Sequence, residues 1–108
     1  MPVLQVFAPE VGDVGGLLAE LADGVAHALD LGGGGVIATF VPVSTIAVSG
    51  GDSAAPWPIV SVHGSRRPPA ATAAATSAAD TAVRAWASRA GIALGGVWVE
   101  WVEPGFEA

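Results

Sequence analysis

The sequence predicts an α/β fold in which two β-α-β repeats form a four-stranded sheet with two helices on one face. A strand-like segment at residues 2–8 recurs at residues 58–64, and both copies begin with proline. A second strand-like segment at residues 36–42 recurs at residues 97–102, and each copy follows a glycine-rich turn. A helix-like segment separates the two strands of each half, which gives the order strand, helix, strand twice.

The two repeats are expected to form one domain, residues 1–108, since a chain of this length has room for one modest core. The first repeat covers about residues 2–48 and the second about residues 58–104. In the segment that joins them, Ser44 to Val48 could add a short strand. A right-handed crossover would make the two strands of each half parallel. The same element order also suits a ferredoxin-like fold with antiparallel pairs, and the pattern alone does not separate the two.

The helices have start signals, stop signals and apolar faces. Asp13 is a candidate N-cap of the first helix, and Pro68 and Pro69 stand at the entry of the second. The expected stops are the glycines at 32–35 and Gly91.

Each predicted helix has one apolar face. The first apolar face is Leu18, Leu21, Val25 and Leu29, and the second is Val83, Trp86, Ala87 and Ala90. The Ala/Thr-rich residues 69–79 are predicted to form the first half of the second helix.

Composition excludes several functional classes. The net charge is −6, there is no Lys, and the four Arg form no basic stripe, so nucleic acid is not an expected partner. No apolar run reaches the roughly 18 residues that span a bilayer, and the start of the chain does not resemble a signal peptide. There is no Cys, and the two His are far apart, so neither a disulfide nor a metal site is expected. A cytoplasmic protein fits these features.

The hydrophobic content, 52% with only 13% charged residues, is high for so short a chain. The face of the sheet away from the helices is expected to be apolar and to be covered by another subunit. A homo-oligomer is therefore predicted.

Pro2 is a candidate catalytic base. The initiator Met is commonly removed before a small residue, and removal would leave a secondary amine on a rigid ring. An ordinary α-amino group has a pKa of about 7.7–8.0, and burial or a nearby Arg favours its neutral, proton-accepting form. The alternative is that Pro2 only begins a strand, where proline is tolerated.

Arg66 and Arg67 are candidate binders of a carboxylate. They lie between the end of the third strand and the start of the second helix, where free N–H groups and the helix dipole favour anions. A guanidinium there can hold a carboxylate through two hydrogen bonds. The alternative is a pair of solvated cations that form salt bridges with some of the ten acidic residues.

The remaining candidates have both a functional and a structural interpretation. His27 is expected on the solvent side of the first helix, and His63, near the Arg pair, could orient a neighbouring group or only fill space. Trp98, Trp101 and Phe106 could line a substrate pocket or belong to the core or an interface. Glu100, Glu103 and Glu107 are possible acids or water activators, or merely solvated residues.

Taken together, these features resemble the tautomerase superfamily, which includes 4-oxalocrotonate tautomerase and the macrophage migration inhibitory factor family. The matching features are Pro2 directly after Met1, the duplicated β-α-β unit, the chain length, and Arg just before the start of the second helix. Short segments at residues 45–51, 59–64 and 97–99 are most similar to the cis-3-chloroacrylic acid dehalogenase branch.

The resemblance implies a trimer with active sites at subunit boundaries around Pro2. It implies Pro2 as base or acid, Arg66 and Arg67 as binders of the substrate carboxylate, no metal or organic cofactor, and a catalytic role for His27. The expected activity is isomerisation of a 2-oxo or 2-hydroxy-dienoate acid. Two alternatives stay open: a hydratase or dehalogenase of an unsaturated acid, and a catalytically silent binding protein if Met1 is retained.

Overall fold

Each half of the chain folds as a strand, a helix and a strand in the computed structural model, which describes residues 1–51 and 55–104. The elements are β1 (Val3–Ala8), α1 (Val14–Ala28), β2 (Ile37–Pro42), β3 (Ile59–His63), α2 (Pro69–Ala90) and β4 (Trp98–Val102). The predicted α/β fold with two β-α-β repeats is confirmed.

The four strands form one mixed sheet in the order β2-β1-β3-β4. Strands β1 and β2 are parallel, and so are β3 and β4. The halves meet along β1 and β3, which are antiparallel. The ferredoxin-like alternative, in which all neighbouring strands are antiparallel, is ruled out because β1 lies directly beside β2, and β3 beside β4, in parallel.

The two repeats share a backbone contact at equivalent positions. The N–H of Ile37 donates to the carbonyl of Pro2 at 3.2 Å, and the N–H of Trp98 donates to the carbonyl of Pro58 at 2.9 Å. Both prolines are fully buried. Pro2 and Pro58 therefore occupy matching places, one residue before the central strand of each half.

Helix α1 begins at the predicted cap, because Asp13 Oδ1 accepts a hydrogen bond of 2.8 Å from the N–H of Gly16. Its buried residues are Leu17, Leu21 and Val25, which follow one another at intervals of four. Leu18, predicted on this face, is only half-buried at its edge. The helix ends at Ala28, before the predicted glycine stop at 32–35.

Helix α2 includes the Ala/Thr-rich segment, as predicted. It begins at Pro69 and closes at Gly91, whose φ of 71° is the left-handed conformation that favours glycine. Ala75, Ala79 and Ala82 belong to the buried core, to which α1 and α2 both contribute. Small side chains on this face let α2 pack closely on that core.

The short strand proposed at Ser44 to Val48 is wrong. The N–H of Val43 donates to the carbonyl of Ala8 at 2.9 Å, and residues 44–51 then form no strand. The reason is that β1 ends at Ala8, so the segment after Val43 has no neighbouring strand left to pair with on that side.

The sheet face away from the helices is not uniformly apolar, contrary to the sequence-based expectation. The register aligns one polar residue from each strand in a row across its centre: Thr39, Gln5, Ser61 and Glu100. Ser61 Oγ donates to Glu100 Oε1 at 3.3 Å. Apolar side chains flank this row, among them Ile59 and Trp98. We call this surface the open face.

Across residues 1–51 and 55–104, no helix is both long and apolar enough to cross a membrane.

Candidate active site

One end of the sheet gathers most of the residues that the sequence singles out. Strands β1 and β2 begin at this end, and β3 and β4 finish there. Val3 pairs with His63, so Pro2 lies opposite Gly64 at this end of the two central strands. The N–H of Gly64 donates to the carbonyl of Val102 at 3.0 Å, which joins the ends of β3 and β4.

Pro2 is fully buried at this end, although Met1 before it is 74% exposed. Strand alternation places Pro2 on the helix side of the sheet, together with the core residue Leu4. Its carbonyl is fixed by the N–H of Ile37. Loss of Met1 would therefore leave an amine nitrogen held in place at the edge of the core.

A cavity of about 550 Å³ opens at the same end, between the start of α2 and the end of β4. Its walls combine cationic, apolar and acidic groups. They are formed by Arg66, Arg67, Pro69, Thr72, Trp101 and Glu103. Pro2 is not among these residues, so within one subunit the cavity and Pro2 share an end of the sheet without a common wall. We call it the arginine cavity.

The two arginines differ in their surroundings. The Arg66 side chain is 87% exposed, and its Nε lies 3.6 Å from Glu103 Oε1. Arg67 is half-buried, and its Nε is shielded from solvent with no hydrogen-bond partner among residues 1–51 and 55–104. Arg67 is therefore the cavity-lining guanidinium with an N–H for which the described residues supply no acceptor.

Trp101 forms the apolar wall of the arginine cavity and rests on Gly64. A Cβ atom built on Gly64 would lie 2.7 Å from Trp101 Cζ2 and 2.9 Å from its Cη2. Only glycine lets the indole ring lie this close to the backbone. The residue opposite Pro2 thus also sets the position of the cavity wall.

The start of α2 offers fewer backbone donors than the sequence suggests. Pro68 and Pro69 have no N–H, and the N–H groups of Ala71 and Thr72 both donate to the carbonyl of Pro68, at 2.9 and 3.3 Å. An anion at this junction would depend mainly on the guanidinium groups.

The two histidines lie at the same end of the molecule but outside the arginine cavity. His63 ends β3 on the open face and is half-buried. His27 is exposed in the last turn of α1. It lines a different cavity of about 230 Å³, together with Asp23 and the glycines at 32–35.

The aromatic candidates lie in different places in the structure. Trp101 lines the arginine cavity, whereas Trp98 is 58% exposed on the open face, where its Nε1 donates to Glu100 Oε2 at 3.4 Å. Phe106 and Glu107 lie outside the described residues. Thr72 and Gly64 were missed by the sequence analysis, although a glycine directly after a strand is a signal of a close approach.

Within residues 1–51 and 55–104, no three His, Asp or Glu side chains cluster in a way that could hold a metal ion.

Comparison with known proteins supports the fold but leaves the reaction to be argued from the site. No protein-family model matches the sequence, and no curated protein matches it either. Solved structures do match. One is a 5-carboxymethyl-2-hydroxymuconate isomerase from Deinococcus radiodurans, with a TM-score of 0.76 and 17% identity over 96% of this chain and 83% of that one.

A macrophage migration inhibitory factor from Toxoplasma gondii superposes with a TM-score of 0.72 and 15% identity, over 95% of this chain and 90% of that one. The chain therefore has the same fold as these isomerase and macrophage migration inhibitory factor structures. A fused 4-OT, described as a symmetric trimer, also shares this fold, with a TM-score of 0.72 and 22% identity, over 94% of this chain and 85% of that one. The nearness to the dehalogenase branch stays a prediction.

Proposed function

We propose that this protein is a cofactor-independent tautomerase that uses the amine of Pro2, freed by removal of Met1, as a general base. The substrate is a 2-oxo or 2-hydroxy-dienoate carboxylic acid. The observation that carries the proposal is the location of Pro2 at the same end of the sheet as the arginine cavity. The tautomerase fold and the isomerases that share it give further support.

The surroundings of Pro2 favour a neutral amine. Pro2 is fully buried, and burial disfavours the charged form of an amine. A neutral amine can take the proton from an enol hydroxyl, or from a carbon next to a carbonyl, and return it to another atom of the same substrate. This proton transfer requires neither a metal nor an organic cofactor.

Arg67 is assigned as the main carboxylate binder, and Arg66 as a contributor at the rim. The solvent-shielded Nε of Arg67 faces no protein acceptor among the described residues, whereas Arg66 is exposed and close to Glu103. A fixed guanidinium would orient the acid and stabilise the negative charge that develops as the proton leaves.

A homotrimer is the proposed assembly, with each active site at a subunit boundary. The open face exposes large apolar side chains, among them Ile37, Ile59 and Trp98, at 47%, 41% and 58%. Patches of this kind mark interfaces in soluble proteins. The polar row across its centre would then pair with groups of another copy, and the trimer of the fused 4-OT with this fold supports this arrangement.

The assembly would also join Pro2 to the arginine cavity, since one subunit alone does not enclose both in a single cavity. The other predicted site residues lie outside the arginine cavity or outside the described part of the chain. A role for them in substrate binding would require the assembly or the remaining residues: they are His27, His63, Trp98 and Phe106. A cytoplasmic location and the absence of nucleic-acid or membrane partners remain predictions from composition.

Addition of water to an unsaturated acid is a second candidate reaction, and Glu103 favours it. This carboxylate lines the arginine cavity, where it could accept a proton from an attacking water molecule. Release of halide from a 3-haloacrylate, with loss of this activity in Glu103→Gln, would select the hydratase or dehalogenase function.

The proposed function is tested by the intact mass of the protein purified from cells, followed by an ultraviolet assay of phenylenolpyruvate or 2-hydroxymuconate ketonisation. We expect a mass that lacks one Met and turnover well above the uncatalysed rate. A retained Met makes Pro2 a tertiary amide with no basic nitrogen. That mass, together with no turnover, would establish the silent binding protein instead.

A further inference from the structure

The indole N–H of Trp101 is a hydrogen-bond donor that the described protein atoms leave unused. Trp101 Nε1 is shielded from solvent and has no partner among residues 1–51 and 55–104. Two other indoles do have partners: Trp86 Nε1 donates to the carbonyl of Val11 at 3.2 Å, and Trp98 Nε1 donates to Glu100. A buried N–H without an acceptor is costly, so this exception requires an explanation.

The second unused donor lies in the wall of the same cavity. Arg67 Nε and Trp101 Nε1 are the two side-chain atoms that are shielded from solvent and unpaired in the described part of the chain, and both residues line the arginine cavity. One orphan donor could be incidental. Two such donors on residues that line one cavity of about 550 Å³ point to a ligand that supplies acceptors.

A carboxylate fits these two donors better than a neutral acceptor does. It has two oxygens that accept and none that donates, while an indole N–H and a guanidinium N–H can only donate. The cation of Arg67 supplies the charge, and the indole supplies direction without adding charge. Glu103, the acidic residue in the wall, is already close to Arg66, at 3.6 Å.

We propose that Trp101 Nε1 donates to the substrate carboxylate together with Arg67, so that Trp101 is a specificity-determining residue and not only an apolar wall. The inference rests on the carboxylic acid substrate of the proposed function. Gly64 supports it, because the lack of a Cβ there allows the indole ring to pack directly against the backbone, which restricts how the ring and its N–H can move. The donor is therefore in position before the ligand arrives.

The direct test observes the indole N–H groups of the ¹⁵N-labelled protein by NMR while sodium benzoate is added, with benzamide as the uncharged control. The four tryptophans give four indole signals, and Trp101→Phe assigns the one of interest. We expect benzoate to shift the Trp101 signal downfield and to leave the paired Trp86 signal in place. Benzamide should shift neither signal, and Arg67→Ala should weaken the benzoate response.

Kinetics supply an independent readout. Trp101→Phe keeps a ring against Gly64 but removes the N–H, so we expect KM for phenylenolpyruvate to rise about tenfold or more, with kcat changed less. Trp57→Phe is the matched control, since Trp57 lies at the other end of the sheet against Gly95 and Gly96.

The outcomes distinguish this inference from the proposed function. Benzoate binding by calorimetry with an unmoved Trp101 signal, or an unchanged KM in Trp101→Phe, would overturn the role of Trp101 and leave the tautomerase proposal standing. A shifted Trp101 signal without any turnover would support the carboxylate site and count against the catalytic base. No benzoate binding at all would overturn the carboxylate site at Trp101 and Arg67, while ketonisation turnover would still decide the tautomerase proposal.

Discussion

The indole ring of Trp101 lies against the backbone of Gly64, where a Cβ atom would approach Trp101 Cζ2 to 2.7 Å. This contact connects two parts of the candidate site, because Gly64 lies opposite Pro2 and Trp101 lines the arginine cavity. A change at Gly64 should therefore affect both stability and substrate binding.

We expect Gly64→Ala to lower the free energy of unfolding by about 1–3 kcal/mol, because the added methyl group must displace the indole ring or the backbone. The same variant should raise KM. Gly33→Ala is the matched control, since nothing lies within 4 Å of a Cβ built on Gly33. Urea denaturation and steady-state kinetics measure the two effects. Equal stability and equal KM in the two variants would show that the contact is unimportant.

The arginines should not contribute equally. Arg67→Ala is expected to raise KM roughly 10- to 100-fold, because it removes a charged hydrogen bond from a partly buried site. Arg66→Ala should raise KM only a few-fold, since the Arg66 side chain is 87% exposed and its charge is screened. Steady-state kinetics on both variants, with Arg84→Ala on the outer surface of α2 as control, decide the assignment. A larger effect from Arg66→Ala would reverse it.

Assembly through the open face can be tested with a pair of equally exposed residues. Ile59 lies on the open face and Val11 in the loop before α1, and each is 41% exposed. We expect Ile59→Asp to dissociate the oligomer, because a carboxylate would be buried in an apolar interface. Val11→Asp should leave its mass unchanged in sedimentation. A monomeric wild type, or dissociation by Val11→Asp alone, would contradict the proposed interface.

Close packing of the helices predicts that α2 is sensitive to side-chain size on one face. Ala79 is fully buried against the core, whereas Ala73 is exposed. Ala79→Leu should therefore lower the free energy of unfolding by about 1–3 kcal/mol. Ala73→Leu should change it by less than about 0.5 kcal/mol. Thermal denaturation compares the two, and similar stabilities would mean that the buried face of α2 tolerates larger side chains.

The repeats, and with them the fold, were predictable from sequence because each half contains the same local signals. Pro2 and Pro58 mark equivalent strand starts, and Asp13 and Gly91 act as the cap and the stop that their chemistry suggests. These are interactions over a few residues. The alanine-rich part of α2 was predictable for the same reason, since helix propensity is a local property.

Features that depend on register were not predictable in the same way. The polar row on the open face exists because Gln5, Ser61 and Glu100 align across three strands, which no single strand reveals. The difference between Arg66 and Arg67 likewise depends on where the end of β4 places Trp101 and Glu103. Such long-range placement decides which of two adjacent residues is shielded from solvent.

The most direct test of the catalytic base compares Pro2→Ala with Pro58→Ala, in proteins whose masses confirm that Met1 is absent. The two prolines are both buried and accept equivalent backbone hydrogen bonds, but only Pro2 can become an amine. We predict that Pro2→Ala lowers kcat/KM for ketonisation by about 100-fold or more, while Pro58→Ala stays within a few-fold of wild type. Unchanged turnover in Pro2→Ala would contradict the account.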